Sequence, residues 1–133
     1  MTENTNEQNW SDKTLLIVED DRISISFIKE LLAPTGINII EALSGEKAVE
    51  KMQIEEIDLV LMDIQLPGIN GYQTTQRIKA INHTIPVIAQ TAYAMQEDQE
   101  KAMEAGCDDY ISKPIEIDGL LAIMKDFLQE GKA

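Results

Sequence analysis

The fold is decided by the stretch IDLVLMDIQLPGINGY, residues 57–72, in which an apolar run ends on one carboxylate. Short apolar runs bounded by turn residues are typical of strands that are buried on both faces. Asp63 closes this run, and Pro67-Gly68 then turns the chain toward a helix. A carboxylate at the end of a buried strand is partly desolvated, which suits a nucleophile or a metal ligand. Asp63 is therefore the first candidate site residue.

Length and composition exclude several classes of protein. The 133 residues predict one domain with a real core. No apolar run is long enough to span a bilayer and the N-terminus is not signal-like, so we expect a cytoplasmic protein without a membrane partner. The single cysteine, Cys107, excludes an internal disulfide. The formal net charge of −13 argues against binding to nucleic acid, whose phosphates it would repel.

The two ends of the chain differ from its middle. Residues 1–13 are polar and lack periodicity, which predicts a disordered tail or the remnant of a linker. Trp10 is the one sizeable apolar residue there, and it either docks on the domain or once packed against a neighbour. The domain is expected over residues 14–129, and a short tail over residues 130–133.

Between the tails, short apolar runs alternate with segments of helical periodicity. Strands are predicted at residues 15–18, 37–42, 58–62, 85–89 and 108–111. Helices are predicted at residues 22–32, about 45–52, 70–80, 95–105 and about 117–128. In the first helix the apolar face is assigned to Ile23, Phe27, Ile28, Leu31 and Leu32.

This alternation, without any hairpin signal, predicts an α/β fold with a parallel sheet and helices on both faces. Five strands in so short a chain favour the doubly wound, flavodoxin-like (βα)5 arrangement with strand order 2-1-3-4-5. In such sheets the functional site lies at the carboxyl ends of the strands, where the first and third strands separate.

The residues at those strand ends are mostly charged. Glu19-Asp20-Asp21 follows the first strand, Asp63 ends the third, Thr91 ends the fourth, and Lys113-Pro114 follows the fifth. The carboxylates outnumber the ammonium group, and like charges this close disfavour one another unless a cation intervenes. All the available ligands are oxygens, which favours Mg²⁺. Mg²⁺ and Lys113 could then share the charge of a phosphoryl group that Asp63 attacks.

Four segments, each at the end of a predicted strand, carry a family resemblance. They are Val18-Glu19-Asp20-Asp21, residues 62–67 around Asp63, Thr91-Ala92, and residues 106–114, which end in Lys113-Pro114. Over residues 14 to about 128 the chain resembles the receiver domain of two-component response regulators. The sequence around Asp63 and Lys113 looks most like that of receivers of hybrid sensor histidine kinases or of single-domain response regulators.

The resemblance implies a phosphorylation-controlled switch. Asp63 would accept a phosphoryl group from a histidine kinase or a histidine phosphotransfer protein. Asp20 and Asp63 would bind Mg²⁺ directly, Gln65 would offer a backbone carbonyl, and Glu19 would act through water. The domain would catalyse only its own phosphorylation and dephosphorylation and would not otherwise be an enzyme.

The resemblance also implies how the switch is read. Thr91 and Lys113 would bind oxygens of the new phosphoryl group, and Tyr110 would change rotamer with Thr91. The surface formed by the fourth helix, fifth strand and fifth helix would change in turn. Lys113-Pro114 is expected to be a cis peptide. Because no output domain follows, we expect signalling by protein contact or phosphorelay, from a monomer or weak dimer.

Some residues depart from the family pattern or have simpler interpretations. Gln90 stands where such receivers carry a small or apolar residue, and its amide either points inward or reaches the rim of the site. Tyr93 is hypothesised to restrict the water that hydrolyses the phosphoryl group. Asp21 is expected to begin the first helix rather than bind metal. Surface or strand-entry roles are expected for Asp108, Asp109 and His83, and core packing is expected for Cys107, Met95, Met103 and Met124.

Other classes of function fit less well. A dehalogenase-type phosphohydrolase would end its first strand in a D-x-D signature, whereas here the best nucleophile ends the third. A nucleotide-binding domain would need a G-x-G-x-x-G or P-loop motif, and neither occurs. A receiver used only as a binding module remains an alternative, although no residue needed for phosphorylation is missing.

Overall fold

The computed structural model describes residues 8–92 and 96–128, with Gln96 and Glu97 described by their backbone alone. Within these ranges, five strands and five α-helices alternate. The strands are β1 (Thr14–Val18), β2 (Asn38–Ala42), β3 (Leu59–Asp63), β4 (Val87–Thr91) and β5 (Asp109–Ser112). The helices are α1 (Arg22–Leu32), α2 (Gly45–Ile54), α3 (Gly71–Ile81), α4 (Gln96–Ala105) and α5 (Ile117–Leu128), and a 3-10 turn (Ala33–Thr35) follows α1.

The five strands form one parallel sheet in the order β2-β1-β3-β4-β5, which confirms the predicted topology. Two apolar cores lie on opposite faces of the sheet. Buried residues of α1 and α5 pack on one face, and buried residues of α2, α3 and α4 pack on the other. All five residues of β3 are buried, because this strand is central and is covered on both sides.

Element boundaries follow the sequence signals closely. Asn70 caps α3, and its side chain and that of Gln73 bond reciprocally to each other's backbone N–H groups, which forms a capping box at the predicted start of the helix. β3 extends one residue further than predicted, so that Asp63 is its last paired residue. Met124 is fully buried as expected, whereas Met103 is 52% exposed and the prediction of core packing there is wrong. Met95 lies outside the described residues.

The predicted apolar face of α1 is partly wrong. The helix buries Ile25, Ile28 and Leu32, while Ile23 is 81% exposed and Phe27 is 47% exposed. The spacing of the three buried residues is that of a single helical stripe. Ile23 and Phe27 lie outside that stripe, so the helix leaves them at the surface.

The prediction of a disordered tail is wrong for residues 8–13. The Trp10 side chain is buried in the same core as residues of α1 and α5, and its backbone N–H donates to the Thr35 carbonyl at 2.7 Å. Asn38 holds the segment further, because its side-chain amide donates to the carbonyls of Ser11 and Lys13. Burial of an indole, together with paired backbone groups, makes this segment part of the domain. Residues 1–7 and 129–133 lie outside the described part of the chain.

A membrane-crossing helix is not found in the described ranges, since each helix there is too short or too polar to span a bilayer.

Candidate functional site

The carboxyl ends of β1, β3 and β5 bring three charged side chains together. Glu19 follows β1, Asp63 ends β3, and Lys113 follows β5. The Lys113 Nζ lies 3.5 Å from the Glu19 Oε1 and 3.5 Å from the Asp63 Oδ1. The two carboxylates are almost fully buried, whereas the Lys113 side chain is about one-third exposed. The predicted convergence of these strand ends is confirmed.

The loop after β3 holds the Asp63 carboxylate in place. The Gln65 backbone N–H donates to the Asp63 Oδ1 at 3.1 Å. Gly68 turns the loop with a φ of 74°, a conformation that costs least for glycine. A Cβ at Gly71 would overlap the Asp63 carbonyl oxygen, so glycine at the start of α3 lets this helix pack directly beneath the strand end.

The Glu19 carboxyl group has a raised pKa. Burial of its carboxyl raises the pKa from 4.5 to about 7, and the neighbouring Asp63 charge adds to this while Lys113 opposes it. Its Oε2 accepts the backbone N–H of Asp21 at 3.2 Å. Its buried Oε1 has no hydrogen-bond partner among the described residues, although Lys113 lies within ion-pair distance. The site therefore holds more negative charge than its own lysine balances.

The three carboxylates can hold a metal ion. Glu19, Asp20 and Asp63 each offer an oxygen, and these oxygens lie within 4.8 Å of one another. Asp20 is exposed, so the cluster opens to solvent on one side. The unpartnered oxygen of Glu19 and the excess negative charge are both features that a hard cation would satisfy. The residues present therefore fit a divalent cation with oxygen ligands.

Thr91 and Tyr110 share one face of the sheet. Tyr110 is in register with Ala89, and Thr91 lies two residues further along the same strand, so all three side chains point the same way. Thr91 is buried at the strand end, whereas Tyr110 is half-buried and lines a groove beside α4. Thr91 thus lies at the site and Tyr110 lies beside α4, on the same face of the sheet. These are the two residues that the sequence predicts to couple the site to the α4 and β5 surface. Tyr93 lies outside the described residues.

The chain matches the family model of the response regulator receiver domain over residues 15–125. It belongs to the response regulator receiver domain family. Among characterised relatives, this receiver domain is 38% identical over 119 residues to the polar-differentiation response regulator DivK of Brucella ovis. That match covers 87% of this chain and 96% of the relative.

Solved receiver structures are similarly close. The receiver domain of the sensor histidine kinase PA1611 from Pseudomonas aeruginosa, crystallised with a magnesium ion coordinated in its active-site cleft, is 32% identical with a TM-score of 0.80. The match covers 86% of this chain and 96% of that one. The Saccharomyces cerevisiae receiver domain of Ssk1, in complex with the histidine phosphotransfer protein Ypd1, is 27% identical with a TM-score of 0.81. There the coverage is 86% of this chain and 88% of that one.

Other polar residues of the receiver domain have structural roles. Asp21 caps α1 through the backbone N–H of Ile23, as expected. Asp108 accepts the Val87 backbone N–H at 2.8 Å, and Asp109 accepts that of Tyr110 at 2.8 Å. The remaining outcomes match their predictions: His83 is exposed, Cys107 is buried, and Lys113-Pro114 is a cis peptide.

Gln90 is the residue whose position sequence reasoning left open, and it points inward. The residue is only 1% exposed, and it is paired in register with Asp63, so the two side chains lie on the same face of the sheet. Its Nε2 has no hydrogen-bond partner among the described residues. The register of two parallel strands, counted from their carboxyl ends, is the signal that could have placed Gln90 beside Asp63.

Proposed function

We propose that this receiver domain is a phosphorylation-controlled switch in which Asp63 accepts the phosphoryl group. The observation that carries the proposal is the Lys113 ammonium 3.5 Å from an Asp63 carboxylate that is buried at a strand end and held by the Gln65 N–H. A carboxylate oxygen of Asp63 would bond to phosphorus as the bond between phosphorus and the donor nitrogen breaks. Lys113 would stabilise the negative charge on the phosphoryl oxygens.

Glu19, Asp20 and Asp63 would hold Mg²⁺ together with the backbone carbonyl of Gln65. When bound, this ion supplies positive charge against the phosphoryl oxygens. Support comes from the clustering of the three carboxylates and from the magnesium ion bound by the similar PA1611 receiver. Until the ion binds, burial keeps a proton on Glu19 up to about neutral pH.

Thr91 and Tyr110 would transmit the modification. Thr91 is buried at the end of β4 on the face that also carries Tyr110, and Tyr110 borders α4. A hydrogen bond from the Thr91 hydroxyl to the new phosphoryl group would vacate space for the Tyr110 ring. The α4, β5 and α5 surface would then present a different shape to a downstream protein.

The phosphoryl donor would be a histidine kinase or a histidine phosphotransfer protein. The complex of the similar Ssk1 receiver with Ypd1 supports a partner of this kind. The domain would catalyse only formation and hydrolysis of its own acyl phosphate, and hydrolysis would release inorganic phosphate. A cytoplasmic location and a monomer or weak dimer remain expectations from the sequence.

The test is phosphorylation by acetyl phosphate with Mg²⁺, followed by intact-mass spectrometry. Wild-type protein should gain one phosphoryl group, Asp63→Asn should gain none, and Lys113→Ala should react at least about tenfold more slowly. Asp126→Asn is the matched control, because Asp126 is exposed on α5. Wild-type protein that stays unmodified at saturating donor, or equal labelling of Asp63→Asn, would contradict the proposal and leave a binding module instead.

A further inference from the structure

A cavity lies beside the phosphorylation site, between α1 and the ends of β4 and β5. Its volume is about 500 Å³, within the range of about 300–1,000 Å³ that is usual for small-molecule sites. α1 contributes Phe27 and Ile28, and the opposite wall includes Lys113 and Ile115. Most of the lining surface is apolar. The cavity is large enough for a ligand of one or two rings.

Gln90 is one of three polar residues that line this cavity, with Ser24 and Lys113, and the rest of the wall is apolar. Its position on β4 follows Ile88 on the same face, and Ile88 is fully buried. An apolar residue at position 90 would continue the core without any unpaired group. Instead the amide Nε2 is buried and has no hydrogen-bond partner in the described part of the chain. A buried donor without an acceptor is destabilising, so the unpaired Nε2 lowers the stability of the fold as it stands.

We propose that the cavity binds a small uncharged ligand with an apolar body and one hydrogen-bond acceptor, which the Gln90 Nε2 recognises. The terminal torsion of a glutamine side chain is soft, so the amide can turn toward an occupant without moving β4. The apolar wall takes the body of the ligand, and the amide takes its carbonyl, ester or amide oxygen.

The charges around the cavity favour a neutral ligand. Lys113 is the ammonium group on the lining, and it already lies 3.5 Å from each of the Glu19 and Asp63 carboxylates. The carboxylates of Asp20 and Asp63 belong to the same cluster and outnumber the one ammonium group even when Glu19 is protonated, so an anionic ligand would be repelled. A cation would gain nothing from Gln90, because the unpaired amide group is a donor.

Two nearly isosteric probes test the proposal, acetophenone with a carbonyl oxygen and ethylbenzene without one. Binding is followed by the ¹⁵N-resolved side-chain amide signal of Gln90 and by the backbone signals of Phe27 and Ile115. Wild-type protein should bind acetophenone about fivefold more tightly than ethylbenzene, the value of one net hydrogen bond. The Gln90 amide signal should shift with acetophenone alone.

Gln90→Leu should bind both probes equally, because it keeps the apolar wall and removes the donor. Gln90→Met serves the same purpose if the branched side chain disturbs folding, which thermal unfolding will report. Gln53→Leu, at an exposed position on α2, should retain the wild-type preference. An acetophenone preference that survives in Gln90→Leu or Gln90→Met would overturn the proposal. So would probes that leave the cavity signals unshifted, which would point to a partner protein's side chain as the occupant.

Discussion

The two edges of the same sheet treat their charged residues in opposite ways. At the amino-terminal edge, the Lys79 Nζ donates to the Ile85 carbonyl at 2.6 Å and lies 2.8 Å from the Asp108 Oδ2. Asp108 in turn accepts the Val87 N–H. At the carboxyl-terminal edge, Lys113 reaches two carboxylates only at 3.5 Å. One edge is closed by short, mutually satisfying bonds, and the other holds charge that its own residues leave unbalanced.

Unsatisfied polar atoms separate the edges in the same way. Among the described residues, two buried side-chain atoms without a hydrogen-bond partner are identified, the Glu19 Oε1 and the Gln90 Nε2. Both lie at the carboxyl-terminal edge, within the candidate site and its neighbouring cavity. Polar groups that a fold leaves unpaired tend to mark places where it binds something else. The polar groups of the amino-terminal edge therefore stabilise the domain, whereas the unpaired polar groups of the carboxyl-terminal edge lower its stability and are available to bind a ligand.

The largest predicted effect removes the indole that closes the amino-terminal edge. Trp10→Ala should lower the free energy of unfolding by about 3–5 kcal/mol, because it empties a buried site between α1 and α5. Urea denaturation followed by circular dichroism measures the loss. Asp12→Ala, at an exposed position two residues away, should stay within about 0.5 kcal/mol of wild type. A loss below about 1 kcal/mol for Trp10→Ala would mean that residues 8–13 contribute little to the fold.

A somewhat smaller loss in the free energy of unfolding is expected from breaking the bonds of Lys79 to Ile85 and Asp108, which we call the polar clip of that edge. Lys79→Met keeps the aliphatic stem but removes the bonds to Ile85 and Asp108, which should cost about 2–3 kcal/mol. Lys47→Met is the matched control. The Lys47–Glu50 pair is 3.5 Å apart and about two-thirds exposed on both sides, so its loss should cost no more than about 0.5 kcal/mol.

The rate of phosphorylation shows whether the loss of stability in Lys79→Met also affects the site around Asp63. In acetyl phosphate labelling below its unfolding temperature, Lys79→Met should react at the wild-type rate, because the clip lies at the edge opposite Asp63. Equal destabilisation by Lys79→Met and Lys47→Met would show that burial of the Lys79 ammonium adds nothing. Slowed labelling of Lys79→Met would show that the two edges are coupled.

Much of the candidate site could be predicted from the sequence because it depends on topology. Parallel strands bring their carboxyl ends to one edge, so residues that end apolar runs, such as Glu19, Asp63 and Lys113, had to lie close together. The start of α3 was equally predictable, since Asn70 and Gln73 form a purely local cap. Helix caps and the alternation of strands and helices can both be predicted from residues that are close together in the sequence.

The errors, and the positions that the sequence left open, concern residues whose surroundings come from distant parts of the chain. Trp10 is buried because α1 and α5 leave room for an indole, and nothing near residue 10 in the sequence records that. Ile23 and Phe27 are apolar and are spaced nearly as the residues of a buried helical face are. They are exposed only because α1 turns its other face toward the sheet. Gln90 is buried because β4 pairs in one particular register with β3.

The smallest predicted effect has the opposite sign and lies at the carboxyl-terminal edge. Folded protein retains a proton on Glu19 up to about pH 7, whereas the unfolded chain releases it near pH 4.5. Stability contributed by this residue therefore falls as the pH rises through that interval and is fully lost above it. Without added metal, Glu19→Gln should be more stable than wild type by about 1–2 kcal/mol at about pH 8, because it removes a buried charge.

The difference between Glu19→Gln and wild type should shrink as the pH falls from about 8 to about 5, since both side chains are then neutral in the folded protein. Urea denaturation at several pH values in the presence of a chelator measures it, and Glu104→Gln, at an exposed position on α4, should show no such trend. Saturating Mg²⁺ should reverse the order at high pH, because wild type gains the binding energy of a complete carboxylate cluster. A stability difference that does not change with pH, or an equal gain from Mg²⁺ in both proteins, would remove Glu19 from the metal site and from the contrast between the two edges.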